Sequence, residues 1–177
     1  MRPPSGVSLT NSGIFTSALM AWIISLMAIS SWPSEAPVRG PLSELVPLQF
    51  HELSQRPEEL SVFESLLHQY HYLSYTSPVG HNLKYLVRDR QGQALACVLF
   101  GAAAWQCAAR DRFLGWDPPT RQRALSQVSN QSRFLILPWV QTPHLASHVL
   151  GRITRRVRRD WRGKYGTVLS VVETFVE

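Results

Sequence analysis

Apolar positions along the chain recur with two different periods, and the switches between them mark the elements. In "RPEELSVFESLLHQYHYL" (56–73), Leu60, Phe63, Leu66, Leu67 and Tyr70 share one face at helical spacing, and Pro57 with two acids opens the first turn. "YTSPVGHN" after it has loop composition. "LKYLVRDRQGQALACVLFG" (83–101) holds two strand-like runs joined by a polar turn at Gly92, the pattern of a β-hairpin. Asp117 followed by Pro118 and Pro119 predicts a capped short helix, and "ARDRFLGW" before it reads as a loop. "RFLILPWV" (133–140) predicts a buried strand. Leu145, Val149, Ile153, Val157 and Trp161, joined by Leu150, then form an apolar stripe on a helix from about 144 to 162. "TVLSVVETFV" (167–176) predicts a second buried strand.

Strand, helix and strand over 133–176 make a βαβ unit, which with the hairpin predicts an α+β fold: a mixed β-sheet with flanking helices. The order of elements resembles that of GNAT-type acyltransferases. Ahead of this, "GIFTSALMAWIISLMAIS" (13–30) carries no charge. As a helix it reaches about 27 Å, near the minimum for a membrane crossing. Its readings are a membrane anchor or signal segment, an extension unrelated to the domain, or a core helix. Pro33, Pro37, Gly40 and Pro41 mark a linker, so residues 1–40 are assigned as leader and linker and 41–177 as the domain.

Charge alters this picture. The net charge is +6, but residues 35–83 hold two Arg against six acids, while 84–164 hold fifteen Lys and Arg against four acids. The second segment suits a polyanion, nucleic acid or anionic lipid, and arginine's planar fork suits phosphate as well as carboxylate. On the 144–162 helix, Arg152, Arg155, Arg156, Arg159 and Arg162 lie away from the apolar stripe, with one acid among seven basic residues from 152 to 164. Five such arginines on duplex phosphates predict a slope of log affinity against log salt of about −4.5. In "ARDRFLGWDPPTRQR" (109–123), Arg110, Arg112 and Trp116 interleave cations with aromatic rings, a pattern for single-stranded nucleic acid. The competing reading has Phe113 and Trp116 anchoring a loop while Asp111 pairs with its neighbours.

Catalytic chemistry has weaker signals. The strand-to-helix junction "QTPHLASHVLG" (141–151) stands where a GNAT-type enzyme holds a cofactor pyrophosphate on backbone N–H groups. Its first glycine is Gly151 and Pro143 removes a donor, so no cofactor is assigned. His144 and His148 have zinc-helix spacing but lack the glutamate of HExxH, and local capping is the simpler reading, as it is for His68 and His71. Ser147 lacks a nucleophile elbow. Glu173, at the end of an apolar strand, is the catalytic acid–base candidate, against the plainer reading of an ion pair with one of the arginines. Cys97 and Cys107 have no metal spacing and read as ordinary thiols.

The stretches "YHYLSYTSPVGHNLKYLVRD", "FGAAAW", "RDRFLGW", "SRFLILPWVQTPHLASHVLGRITRR" and "VVETFVE" together resemble the DruA family of Druantia anti-phage proteins, in the same order, from about Pro41 to Glu177. The resemblance implies a cytoplasmic role in defence against phage or mobile DNA, alongside partner proteins that include a large helicase-like component. The apolar leader keeps membrane anchoring through residues 13–30 as the alternative location. Family members usually continue beyond the ETFV motif, so the resemblance also implies a domain incomplete at its C-terminal end, with a non-functional fragment as one reading. Three functions follow: a nucleic-acid-binding defence module, an acyltransferase-like enzyme, or a subunit that only docks on a protein partner.

Overall fold

The computed structural model describes residues 32–175. The chain divides into two compact units, Met1–Trp32 and Pro33–Glu177, and the second carries every element below. The apolar segment 13–30 lies outside the described residues. Among the described residues no helix is long and apolar enough to cross a membrane.

The architecture is a mixed α+β fold around a five-stranded sheet. Its strands are β2 (Gln49–Glu52), β3 (Asn82–Arg88), β4 (Ala94–Ala102), β5 (Val128–Ile136) and β7 (Val171–Glu173), in the order β2-β3-β4-β5-β7. The first four pair antiparallel with their neighbours, whereas β5 and β7 run parallel. A second, two-stranded ladder joins β1 (Val38–Arg39) in parallel to β6 (Val140–Gln141). The helices are α1 (Leu42–Leu45), α2 (Pro57–Tyr70), α3 (Ala108–Leu114), α4 (Pro118–Ala124) and α5 (Leu145–Tyr165).

Side-chain alternation on β3 shows where the two long helices sit. Lys84 and Arg88 reach Glu64 and Glu59 on α2, while Tyr85 between them reaches Asp160 on α5. Successive strand residues face opposite ways, so α2 and α5 cover opposite faces of the sheet. The central strand β4 is therefore buried along nearly its whole length. The apolar stripe of α5 is buried as its four-residue spacing predicts, with Val149, Ile153 and Val157 at 0 % exposure. Asp117 caps α4 by accepting the Thr120 N–H at 2.8 Å. Gly166 ends α5 at φ +72°, a conformation strained for other residues.

Several boundaries differ from the sequence expectation. The strand expected at 133–140 begins at Val128, because the polar run "VSNQS" is held by ladder bonds to β4. It stops at Ile136, ahead of Pro138, which cannot donate to a ladder. Val140 and Gln141 then pair with Val38 and Arg39, so this part of the expected linker is a strand. The strand expected over 167–176 shrinks to Val171–Glu173, half-exposed at the sheet edge. "AARDRFL", expected as loop, is α3, closed by Gly115 in the left-handed region.

Candidate functional site

Along α5, Arg152, Arg155, Arg156 and Arg159 follow helical spacing down one side, over about 10.5 Å of axis. They face the edge strand β2 across a groove of about 540 Å³ whose remaining lining is Leu48 and Phe50. Phe50 pairs in register with Val87 on β3, whose neighbour Tyr85 opposes Glu52, so Phe50 shares the α5-facing side of the sheet. One wall is thus cationic and the other apolar.

Two of the four guanidiniums are held from behind. Asp160 accepts Arg156 Nε at 2.8 Å on Oδ2 and Arg159 Nε at 3.2 Å on Oδ1. The buried Tyr85 hydroxyl donates to the same Oδ2 at 3.1 Å. Burial, reinforced by the Asp160 charge, holds the Tyr85 phenol well above its ordinary pKa, so it remains a donor. With each Nε engaged by Asp160, the Nη groups are the donors that remain for the contacts carboxylate and phosphate oxygens accept. Among the described residues no carboxylate pairs with Arg152 or Arg155.

The second cation cluster has a different character. Arg110, on α3, is 7 % exposed. Its Nη1 donates to the Ala104 carbonyl at 3.0 Å and to Glu173 Oε1 at 3.3 Å, and its Nε donates to Asp111 Oδ1 at 3.2 Å. Asp111 also accepts Arg121 Nη1 at 2.9 Å. The Arg121 hydrogen bond, opposed by burial and reinforced by Arg110, holds the Asp111 carboxyl below its ordinary pKa. Trp116 lies 6.0 Å from the Arg110 guanidinium, and Trp105 lies 5.8 Å from that of Arg121. Arg110 therefore differs from the expected exposed phosphate contact: it ties α3 to β7, and Glu173, the acid–base candidate, is its ion-pair partner. Phe113 does not anchor a loop, since it projects from α3 at 89 % exposure.

The remaining candidates divide as follows. Arg112 and Arg162 are exposed, and neither lines the groove. His144 precedes α5 in the left-handed region instead of sharing its face with His148. Among the described residues no three His, Cys, Asp or Glu side chains gather to hold a metal. Cys97 is buried in β4, where desolvation pushes its thiol far up, and both cysteines are free. A smaller hollow of about 250 Å³ around Lys164 is neutralised from within, its ammonium contacting Ser54, the Asn82 carbonyl at 3.0 Å and Glu52 at 3.7 Å.

Leu48 and Phe50, which line the groove, and Tyr85 and Asp160, which bond to or behind its arginines, were not singled out from the sequence. The lone acid in the arginine run, four residues after Arg156, is a signal for Asp160. The two-residue spacing of Leu48, Phe50 and Glu52 is a fainter one for β2. Tyr85 reads only as a hairpin residue.

The family model described as Druantia protein DruA matches residues 30–177. The chain belongs to the DruA family. The match takes in β1 and the whole groove of this DruA-family chain, and begins ahead of Pro41, where the sequence resemblance was placed. No curated protein and no solved structure matches it.

Proposed function

We propose that this DruA-family chain is a nucleic-acid-binding module of an anti-phage defence system, gripping the sugar-phosphate backbone in the groove between α5 and β2. The carrying observation is the row of Arg152, Arg155, Arg156 and Arg159 along one groove, two of them oriented through Asp160. The family description favours a setting in defence, with partner proteins such as a helicase-like component completing the system. Arg112 and Arg162 are assigned to flanking contacts with a longer strand. Arg110 and Trp116 are assigned to the fold.

The acyltransferase alternative draws on the parallel β5–β7 pair joined through α5. Against it stand Pro143 in the junction and the Arg110 ion pair on Glu173, so neither cofactor nor catalytic role is proposed.

A salt titration of fluorescence anisotropy with labelled oligonucleotide tests the reading. Four phosphate contacts give slopes of log affinity against log salt of about −2.8 on a single strand and about −3.6 on a duplex. A flat, weak curve on both overturns it.

A further inference from the structure

We infer that the groove takes single-stranded rather than duplex nucleic acid, with Phe50 as the platform for a base; this rests on the nucleic-acid reading above and adds the strandedness of the ligand. A site for phosphate alone needs only the cationic wall. Here the opposite wall is Leu48 and Phe50, on the sheet side that faces α5. The two walls match the two parts of a single strand, charged backbone on one side and exposed base face on the other. Duplex bases are stacked upon one another and offer no free face.

The placement of α5 points the same way. A helix that reads duplex enters a major groove about 12 Å wide as a projecting rod. The arginine side of α5 is flanked instead: Leu48 and Phe50 line the same open hollow as Arg152, Arg155, Arg156 and Arg159. At about 540 Å³ the space has the scale of a small-molecule pocket, roughly 300–1,000 Å³. That suits a nucleotide or two of one strand. An acidic peptide would satisfy the arginines but would leave the aromatic wall without a planar partner.

The test uses the full chain and four fluorescent or competing probes: oligothymidylate, the same length of base-free abasic oligonucleotide, a blunt duplex, and polyglutamate. Oligothymidylate is expected to bind at least tenfold more tightly than the abasic strand, the duplex or polyglutamate, stacking on one aromatic side chain being worth about that factor. Phe50→Leu keeps the apolar packing and is expected to lose about tenfold on oligothymidylate but less than twofold on the abasic strand. Phe50→Tyr is expected to retain the affinity. Equal binding of the abasic strand or duplex overturns the inference, as does equal competition by polyglutamate or an unchanged Phe50→Leu. If abasic strand and duplex bind as well as oligothymidylate with slopes of about −3, the nucleic-acid reading stands and the base platform falls. If no oligonucleotide binds, both fall.

Discussion

The buried hydroxyl of Tyr85 on β3 and the carboxylate of Asp160 on α5 meet at 3.1 Å, and the same oxygen accepts Arg156 Nε at 2.8 Å. A sheet residue with no exposure thereby fixes the direction of a surface guanidinium. Hydrogen bonds to charged groups contribute about 1.5–3 kcal/mol. Tyr85→Phe is accordingly expected to lower stability by about 2 kcal/mol, read as a shift of the urea midpoint with an unchanged slope. Oligonucleotide affinity should fall less than it does on loss of an arginine, since Asp160 still holds Arg156 and Arg159. An unchanged midpoint would show that the hydroxyl is dispensable.

Arg110 and Arg112 sit two residues apart on α3 and differ in every consequence. The Arg110 side chain is 4 % exposed and that of its partner Glu173 11 %. Breaking a buried pair by removing one partner costs about 3–5 kcal/mol, because the other charge stays buried and uncompensated. Arg110→Ala should lower stability by that amount, whereas Arg112→Ala, at an exposed position, should stay within about 0.5 kcal/mol. Thermal unfolding of the two variants side by side distinguishes them, and equal melting points would contradict the assignment.

Glu59 gives the fold a predictable acid limb. Burial opposes its ionised form, but hydrogen bonds from His51 and Arg56 and the charges of His51 and Arg88 outweigh this and hold the carboxyl below its ordinary pKa. The unfolded chain then binds this proton more readily than the folded one as pH falls. The stabilisation is complete above the ordinary glutamate value of about 4.3 and fades as pH drops through the lower folded value. Glu59→Gln should flatten the fall in urea midpoint below about pH 4.5 relative to the parent chain. An equally steep fall in the variant would place the acid sensitivity elsewhere.

Elements written in local pattern were legible in the sequence. The α5 stripe repeats every fourth residue and needs no partner to be seen, and the Asp117 cap and the β3–β4 hairpin are equally local. Pairing-defined elements were not. β2 is four residues long and exists because Gln49–Glu52 lie in register with Tyr85–Arg88. The start of β5 is a polar run whose strand character comes from its neighbours. The groove was half legible for the same reason: its arginines follow one helix, but its apolar wall is Leu48, just ahead of β2, and Phe50 within it, about a hundred residues earlier in the chain. Arg110 looked like a surface cation because its acidic partner, Glu173, lies 63 residues away.

The most direct test of the arginine groove compares two charge reversals on one helix. Arg155 lines the groove, while Arg158 is exposed on α5 but does not line it, so Arg155→Glu and Arg158→Glu change the net charge equally. Both should fold, as exposed substitutions cost within about 0.5 kcal/mol. In anisotropy titrations with oligothymidylate at several salt concentrations, Arg155→Glu should weaken binding at least tenfold and reduce the salt slope by about 0.7 or more, one phosphate contact being lost. Arg158→Glu should leave affinity within about threefold and the slope unchanged. Equal losses from the two variants would mean that binding follows overall charge and not the groove, contradicting the account.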